Sequence, residues 1–340
     1  MIRVAAIVVH YGRTEPCLRC LDSIDGSGGI RPLPIVVDQN PAESPPIAEK
    51  VTSRGGRYVF HPQNSGFGGG GNIGLRLAME EREVGILAVL NSDVRVSPDC
   101  LETLAACLDE RRDVGVCGPA IVAERAPETW WNFGSEILWP SGRPRSLRHG
   151  ERLDRQGPGA LPLEETSPFD VGFVCGSISA FRPDLVRNVG MLPEHYFLYF
   201  EDADFSFRVR RAGLRTIVVP KALAWHLGGA SLEEAEDVTP YYRVRNRLIF
   251  SSAWNPCRVR GRAHRILFSL RAVTGGLVRF LATGRRSALL PPLGVLDYLR
   301  GRHGKRRFFR DRAAHPRSDR GLARDREEEA AARSRRASGA

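Results

Sequence analysis

The chain has 340 residues, of which 42% are hydrophobic and 26% are charged, proportions typical of a soluble globular protein with a sizeable core. No run approaches the ~20 apolar residues that cross a bilayer, and the seven cysteines lack the spacing of a disulfide framework. The composition therefore excludes integral-membrane, collagenous, disulfide-stapled and wholly disordered proteins. The N-terminus lacks a signal-peptide cleavage site, and the cysteine usage fits a reduced cytoplasmic interior.

The net charge of +11 is concentrated in the C-terminal part of the chain. Residues 241–340 hold 25 Lys and Arg against 7 Asp and Glu, whereas the first 240 residues are mildly acidic. An anionic partner is therefore expected for the C-terminal part only.

Short apolar runs alternate with helical periodicity through the first 120 residues. The runs predict strands at Val4–Tyr11, Pro34–Asp38, Arg57–His61, Gly85–Leu90 and Val114–Val122. The periodic stretches predict helices at Glu15–Ile24, Pro46–Ser53, Asn72–Glu83 and Pro98–Glu110, the last with Ser97 as its N-cap. Because the strands are apolar on both faces, they indicate an α/β fold of nucleotide-binding type, with a mostly parallel central sheet flanked by helices.

The composition and the predicted secondary structure change several times along the second half of the chain. Residues 125–170 are rich in Pro, Gly, Trp and Arg and indicate an excursion or lid. Residues 169–182 and 214–226 predict buried strands, with a helix over 200–212 between them. From Tyr241 the pattern is helical and basic, and beyond about residue 301 the composition predicts a charged, disordered tail.

A glycine-rich segment, NSGFGGGGNIG, occupies residues 64–74. Gly66, Gly68 and Gly71 satisfy the G-x-G-x-x-G spacing of a dinucleotide site. However, two βα units precede the segment, whereas the dinucleotide fingerprint opens the first such unit. We interpret the segment as a loop whose backbone approaches a phosphate or a sugar, with a dinucleotide site as the alternative.

Acidic residues follow two predicted strands and begin one predicted helix. Asp38 and Asp93 lie where ligands of open α/β sheets bind, so they are candidates for a nucleoside and for a divalent cation, respectively. Glu201 and Asp202 begin a helix, and neighbours on a helix point ~100° apart. One carboxylate can therefore face a cleft as a general base while the other braces the fold. His226, after a buried strand, is either a metal or phosphate ligand or a structural histidine.

Eight segments, in order over about residues 4–250, resemble glycosyltransferase family 2, the inverting GT-A group, and within it the rhamnosyltransferase-like branch. They are IVVHY (7–11), VVDQN (36–40), NSGFGGGGNIG (64–74), LNSDVRV (90–96), GFVCGSISAFR (172–182), FLYFEDADFSFRVRRAG (197–213), AWHLGGAS (224–231) and YYRVRNR (241–247). The resemblance implies a GT-A domain over 1–240. Its nucleotide-sugar-binding half would be 1–122 and its acceptor and catalytic half 123–240, followed by a basic helical region at 241–300 and the tail at 301–340.

The resemblance also implies a role for each matching position. Asp202 stands at the general base and Asp93 at the second acid of the D-x-D metal motif, with His226 completing the contacts to Mg²⁺ or Mn²⁺. The implied substrate-binding residues are Val9, Tyr11, Asp38, Asn64, Gly66, Phe67, Asn72, Asn91 and Glu201, with Arg245 and Arg247 near an anionic donor or acceptor. Three positions depart from the family pattern: Gly12 replaces Asn, Gln39 interrupts an Asp-Asn pair, and Asn91 replaces the first acid of D-x-D.

The implied reaction is a single displacement at the anomeric carbon of a dTDP- or UDP-sugar, with dTDP-L-rhamnose as the expected donor. The expected acceptor is a cell-envelope polysaccharide or a polyprenyl-diphosphate-linked saccharide. The basic region then predicts contact with an anionic membrane at its cytoplasmic face, the alternative being a helical cap with a solvated surface. No recognition motif accompanies the charge, so nucleic acid is not an expected partner. A Rossmann-type dinucleotide enzyme and a catalytically inactive sugar-nucleotide-binding module stay open as other functions.

Overall fold

Helices and strands alternate along the first half of the chain, as the sequence predicts. The computed structural model describes residues 2–25, 29–153, 167–228 and 238–306. The strands are β1 (Ile2–His10), β2 (Ile30–Asp38), β3 (Arg57–Phe60), β4 (Val84–Asn91), β5 (Val94–Val96), β6 (Val114–Ala123), β7 (Trp130–Asn132), β8 (Ser135–Leu138), β9 (Arg143–Ser146), β10 (Phe169–Asp170), β11 (Ile178–Phe181) and β12 (Arg215–His226). The α-helices are α1 (Thr14–Asp25), α2 (Pro45–Thr52), α3 (Gly66–Glu80), α4 (Cys100–Glu110), α5 (Pro183–Val189), α6 (Glu201–Arg211), α7 (Thr239–Trp254), α8 (Arg258–Thr283) and α9 (Leu290–Leu299).

Ten of the described strands form one central sheet. Its order is β10-β12-β6-β11-β4-β1-β2-β3, with β5 beside β12 and β7 beside β6. β1 is parallel to β2 and β4, β3 is parallel to β2, and β12 is parallel to β6. β11 is antiparallel to both β4 and β6, so these two strands share one direction. The prediction of a mostly parallel sheet is confirmed, with antiparallel strands added in the second half.

The apolar side chains of β1 alternate between two hydrophobic cores, one on each face of the sheet. Val4, Ala6 and Val8 belong to the core that includes residues of α1, α2 and α4. Ala5, Ile7 and Val9 belong to the core that includes residues of α3, α5 and α6. Successive side chains of a strand point to opposite faces, so a strand covered on both sides must be apolar throughout. Cys17 and Cys20 are buried in the first core, where their side chains pack among apolar residues.

The glycine-rich segment is helical rather than a loop, which corrects our interpretation of residues 64–74. Helix α3 begins at Gly66, and its glycines face the sheet and a neighbouring loop. A Cβ on Gly74 would overlap Ile7, and one on Gly71 would lie 2.8 Å from Leu192. The glycines therefore allow the helix to approach β1 closely, and this packing gain offsets their low helix propensity. Because the glycines of the fingerprint spacing meet protein atoms, backbone at Gly66 and Gly68 and the Leu192 side chain at Gly71, they offer no cradle for a dinucleotide.

Two further expectations, about the start of α4 and the strand over residues 169–182, are corrected by the structure. Helix α4 begins at Cys100, with Asp99 as its N-cap residue, because Ser97 instead closes a preceding turn by accepting from the Cys100 amide at 3.0 Å. The predicted strand over 169–182 is two strands, β10 and β11, separated by a loop that reaches α6. The excursion over 125–170 contains β7 to β9 and the start of β10, and residues 154–166 lie outside the described residues.

The basic region after residue 240 folds into α7, α8 and α9, and Met1–Arg306 form one compact unit. The domain boundary at residue 240 stays a prediction. The predicted disordered tail over 301–340 is corrected at its start, because the Gly304 carbonyl accepts from Arg245 and Arg306 pairs with Asp297, and its residues 307–340 lie outside the described part. Within the described part, α8 is long and apolar enough to cross a membrane by length and composition. This corrects the expectation that no segment of the chain is apolar enough to cross a bilayer. Isolated arginines interrupt the apolar run in the sequence, but the mean hydropathy of the helix is still high.

Candidate active site

Several strands present their carboxyl ends at the same edge of the sheet. In the β1–β2 and β1–β4 ladders, His10 lies opposite Asp38 and Val9 lies opposite Asn91. At the end of β12, His226 lies opposite Ala123 of β6. Because these strands run in one direction, the edge collects the polar residues at their ends and just beyond them, as the sequence predicts for Asp38 and Asp93.

Asp38 is fully buried at this edge, and both of its carboxylate oxygens accept hydrogen bonds. The Tyr58 hydroxyl donates to Oδ2 at 2.7 Å, and the Asn40 amide donates to Oδ1 at 3.0 Å. The Asn40 side chain in turn accepts from the Gly12 amide at 2.8 Å and lies 3.0 Å from Nε2 of His10. The result is a rigid polar network between β1, β2 and β3, whose backbone surface can face a nucleoside.

Gly12 and Gln39, two departures from the family pattern, have structural explanations. Gly12 has φ of 101°, a left-handed conformation that glycine adopts at the lowest cost. Gln39 is buried and connects β2 to the start of α3: its Oε1 accepts from the Ser65 amide at 2.8 Å, and its Nε2 donates to the Gly66 carbonyl at 3.1 Å.

Asp93 and His226 lie together at the other side of the edge. His226 Nε2 is 3.1 Å from Asp93 Oδ1, and both residues are buried. The Trp131 ring packs edge-on against the imidazole, with the ring centroids 4.9 Å apart. His226 Nδ1 is buried and has no hydrogen-bond partner among the described residues.

This pair fits a divalent cation whose remaining ligands come from a substrate. One carboxylate and one imidazole are chemically suitable donors, and Mg²⁺ needs few protein ligands when phosphate oxygens supply the others. In the described ranges no three His, Cys, Asp or Glu side chains come together, so these residues alone do not form a closed metal cage.

Asp202 and Glu201 begin α6 in different surroundings. Oδ2 of Asp202 accepts from the Gly176 amide at 2.9 Å, and Oδ1 accepts from the Ala203 amide at 2.8 Å. Burial raises the pKa of Asp202, and these backbone bonds oppose the increase by favouring the charged form. Asp202 and Phe67 line one narrow cavity, so the structure brings these two predicted residues together.

Burial, followed by the charge of Asp202, raises the pKa of Glu201 to about 8. Glu201 Oε2 is buried and finds no hydrogen-bond partner in the part of the chain that the structure describes. The pair is therefore asymmetric: burial raises the pKa of both carboxyl groups, but two amide hydrogen bonds favour the charged form of Asp202, whereas the charge of Asp202 further raises the pKa of Glu201.

The loop β10–β11 joins Asp202 to the strand-end edge. Gly176, which donates to Asp202, is followed by Ser177, whose carbonyl accepts from the Asn91 amide at 3.0 Å. Asn91 ends β4 and lies two residues before Asp93. The general-base candidate and the metal-ligand candidates are therefore anchored to the same end of β4.

The segment before Glu201 has an unusual backbone that α7 holds in place. Phe197, Tyr199 and Phe200 have positive φ angles of 66°, 67° and 76°, which non-glycine residues rarely adopt. Asn246 Nδ2 donates to three carbonyls of this segment, those of Tyr196 at 2.9 Å, Leu198 at 2.7 Å and Tyr199 at 3.1 Å. Such strain persists only where surrounding structure enforces it, which indicates that α7 fixes the start of α6.

Arg245 belongs to the same arrangement and not to an anion-binding surface. It is only 1% exposed, and its guanidinium donates to the carbonyls of Tyr196 at 2.9 Å and Gly304 at 2.7 Å. Arg247 donates to the Ser141 carbonyl at 3.0 Å and lies over the Phe268 ring. In this structure both arginines are engaged by the protein, contrary to the expectation that they lie near a donor or acceptor.

Asn72 and Gly66 are also engaged inside the protein instead of lining an open pocket. Asn72 Nδ2 donates to the Leu192 carbonyl at 2.9 Å and to the Glu194 carboxylate at 2.8 Å. Gly66 has φ of 80°, and a Cβ there would overlap the Phe197 carbonyl. These contacts connect α3 to the 192–197 segment. The half-buried Asn64 and Tyr11 lie closer to the surface, and Val9 packs into the core.

Several residues that build the site were not predicted from the sequence: Asn40, Tyr58, Trp131, Gly176 and Asn246. Asn40, Gly176 and Asn246 stand inside segments quoted for the resemblance, so these motifs indicated their importance. Tyr58 and Gly176 act through contacts across 20 and 26 residues, which periodicity cannot reveal. By contrast, the ion pair of Asp204 with Arg208, with an N–O distance of 3.1 Å, joins residues one turn apart on α6.

The chain is similar to several known proteins. Residues 6–190 match the family model described as Glycosyl transferase family 2. Galactofuranosyltransferase GlfT2 of Mycobacterium tuberculosis is 32% identical over 264 residues, covering 73% of this chain and 41% of that protein. N-acetylglucosaminyl-diphospho-decaprenol L-rhamnosyltransferase of the same organism is 31% identical over 149 residues, 41% of this chain and 45% of that protein.

Among solved structures, GalNAc-T7 with UDP, GalNAc and Mn²⁺ superposes with a TM-score of 0.51 at 14% identity, over 72% of this chain and 50% of that one. This likeness concerns the fold alone. The chain spans less than half the length of the two curated relatives described above. The family match covers more than half of this chain and all the strand-end residues from Asp38 to Asp93, and on this ground the chain belongs to glycosyl transferase family 2.

Proposed function

We propose that the protein is an inverting glycosyltransferase that uses a nucleotide-sugar donor, with Asp202 as its general base. The observation that carries the proposal is the asymmetric Glu201–Asp202 pair. Both carboxylate oxygens of Asp202 accept a backbone hydrogen bond, from the Gly176 and Ala203 amides, which favours the charged form, while burial and the charge of Asp202 raise the pKa of Glu201 to about 8. A fixed carboxylate at the edge of a nucleotide-binding sheet is suited to removing a proton from an acceptor hydroxyl.

The proposed reaction is a single displacement. Asp202 takes the proton of the acceptor hydroxyl as that oxygen bonds to the anomeric carbon of the sugar. The bond from this carbon to the diphosphate breaks at the same time, and the nucleoside diphosphate leaves with the bonding electrons. The Asp38 network would hold the nucleoside, because its buried hydrogen bonds fix the backbone at the ends of β1 and β2.

Asp93 and His226 would hold Mg²⁺ or Mn²⁺ against the diphosphate. A bound divalent cation supplies positive charge that stabilises the leaving group. Trp131 packs against His226 and limits the orientations of the imidazole, which keeps it beside Asp93. The Mn²⁺ in the GalNAc-T7 structure, which shares the fold, supports this part of the proposal.

For the donor we propose dTDP-L-rhamnose, and for the acceptor a cell-envelope polysaccharide or a polyprenyl-diphosphate-linked saccharide. The similarity to the rhamnosyltransferase, whose name specifies a decaprenol-linked acceptor, supports this choice. Galactofuranose is a second candidate sugar, because the similarity to galactofuranosyltransferase GlfT2 extends over 264 residues. We further propose a cytoplasmic location for the enzyme, at the inner face of the membrane.

Calorimetry with dTDP, UDP, GDP and NAD, each with and without Mg²⁺, tests the proposal. We expect one nucleoside diphosphate to bind more tightly with the metal and NAD not to bind. Incubation with dTDP-L-rhamnose or UDP-galactofuranose should then release the matching nucleoside diphosphate when an acceptor is present. Asp202→Asn is the matched control, expected to bind the nucleotide without transferring the sugar.

Two outcomes would contradict the proposal. Metal-independent binding of NAD would favour a dinucleotide enzyme, although the glycines of α3 face Ile7 and Leu192 instead of a ligand. Nucleotide binding without transfer to any saccharide, together with unchanged behaviour of Asp202→Asn, would favour an inactive sugar-nucleotide-binding module.

A further inference from the structure

Helix α8 exposes an apolar stripe that the described residues leave uncovered. Large hydrophobic side chains along it are 44–82% exposed: Val259, Ile266, Leu267, Leu270, Leu277, Val278 and Leu281. At 100° per residue these positions fall within an arc of roughly 120°, so they form one continuous face. A contiguous apolar face of this kind on a folded protein marks an interaction surface.

The opposite face of α8 packs against the rest of the protein. Gly276 is buried against Pro292, where a Cβ would come within 2.5 Å of the proline ring. Arg265 donates to the Ser251 carbonyl of α7 at 3.1 Å, and the Arg247 guanidinium lies over the Phe268 ring. These contacts attach the helix to the rest of the described protein at several points, and the stripe lies on the face turned away from them.

Positive charge surrounds the stripe. Residues 258–306 contain twelve Arg and Lys and a single acidic residue, Asp297, which is buried and paired with Arg302 and Arg306. On the helical projection, Arg260 and Arg271 border one side of the stripe and Arg262 borders the other. An apolar centre with cationic margins is the pattern of a helix that lies in the interface of an anionic membrane.

We propose that α8 docks in the plane of an anionic lipid bilayer, with the stripe inserted among the acyl chains and the bordering arginines among the headgroups. A crossing orientation would detach Gly276 and Arg265 from their partners and would move Arg271 and Arg279 into the hydrocarbon, where a charge is costly. The in-plane orientation keeps these contacts. It places the folded unit on the membrane surface, and it depends on α8 alone, so it does not rest on the proposed transfer reaction.

Flotation of the full-length protein with vesicles tests this inference. We expect binding to vesicles of 70% phosphatidylcholine and 30% phosphatidylglycerol, weak binding to phosphatidylcholine alone, and release by high salt. Leu270→Gln combined with Leu277→Gln should lower the partition coefficient roughly tenfold or more, because two inserted side chains are lost. Arg271→Gln should lower it about fivefold on the anionic vesicles only, which corresponds to about 1 kcal/mol.

Control variants and two further outcomes distinguish in-plane docking of α8 from a membrane-spanning helix and from dimerisation. Arg112→Gln removes an exposed charge from the distant end of α4 and should leave vesicle binding unchanged. Circular dichroism and thermal unfolding establish that each variant is folded. Protein that resists extraction by salt and alkaline carbonate would overturn the in-plane orientation in favour of a membrane-spanning helix. Concentration-dependent dimerisation that the double leucine variant abolishes, without vesicle binding, would assign the stripe to a second copy of the chain.

Discussion

The strand-end edge and the segment before α6 position their functional groups by different means. At the edge, Asp38 follows directly from β2, and neighbouring parallel strands set its place through backbone register. In the other region, Asp202 follows three residues with positive φ angles, and its position depends on Asn246, which lies 44 positions further along the chain. Backbone register alone fixes the residues at the strand-end edge. The segment before α6 has a strained backbone, so its position depends on hydrogen bonds from α7.

This difference predicts where substitutions separate binding from catalysis. Changes near the ends of the strands should alter the affinity for the nucleotide or the metal. Changes in the α6 segment or in the α7 residues that hold it should lower turnover while nucleotide binding survives.

The largest effect is expected for Asp202→Asn. The amide keeps the size of the side chain but cannot accept the acceptor proton, so turnover should fall roughly 10²- to 10⁴-fold. Nucleotide affinity measured by calorimetry should stay within about twofold, because Asp202 contacts the loop β10–β11 and not the Asp38 network. Near-normal turnover of the variant would show that another group removes the proton.

The next effect concerns the metal. His226→Ala should reduce the Mg²⁺-dependent gain in nucleotide affinity roughly 10- to 100-fold, the range for residues that build a metal site. His149→Ala is a matched control, because this exposed histidine also packs edge-on against Trp131 but has no contact with Asp93. Equal losses in the two variants would mean that the Trp131 packing, and not a ligand at His226, explains the effect.

Asn246→Ala tests whether α7 holds the α6 segment. The change removes the Asn246 donor from the Leu198 and Tyr199 carbonyls and one of the two donors of the Tyr196 carbonyl, so we expect a loss of about 2–4 kcal/mol of unfolding free energy and roughly tenfold lower turnover. Asn255→Ala removes two hydrogen bonds just after the same helix, one to the Pro140 carbonyl and one from the Cys257 amide, and should affect stability only. Unchanged KM with lowered kcat in Asn246→Ala would distinguish positioning from general unfolding.

The smallest effect is a change in the pH dependence of stability in Glu201→Gln. The folded pKa of Glu201, about 8, lies above the ~4.3 of an unfolded chain, so between these values the folded state binds the extra proton. The free energy of unfolding therefore falls as pH rises through this window. Glutamine is neutral at every pH, so its Tm advantage over the wild type should grow by roughly 5 °C from about pH 5 to about pH 9.

Glu49→Gln, on the exposed surface of α2, should show a nearly constant Tm difference over the same pH range. A constant difference for Glu201→Gln as well would mean that Glu201 is ionised in the folded protein. The asymmetry of the carboxylate pair would then be wrong.

Much of the fold could be predicted because apolar runs and helical periodicity are visible over short stretches of the sequence. The apolar strands β1, β2, β4 and β6 and the amphipathic helices α1 and α4 were predicted to within a few residues. Asp38, Asp93, Asp202 and His226 were identified because strand ends and helix starts are visible in a linear pattern. The glycine-rich helix α3 was interpreted incorrectly, because its glycines are explained by contacts with Ile7 and Leu192 that only the folded chain makes.

The sequence by itself determined the alternating α/β architecture, the family resemblance and the acidic residues at the ends of the strands, because these depend on local periodicity and on short motifs. Tertiary structure alone decided which polar residues of the quoted motifs are engaged inside the protein. Asn72 and Arg245 belong to quoted motifs, yet backbone groups 120 and 49 residues away engage their side chains. A buried polar group must find a partner wherever the fold supplies one, and no spacing rule states where that partner lies.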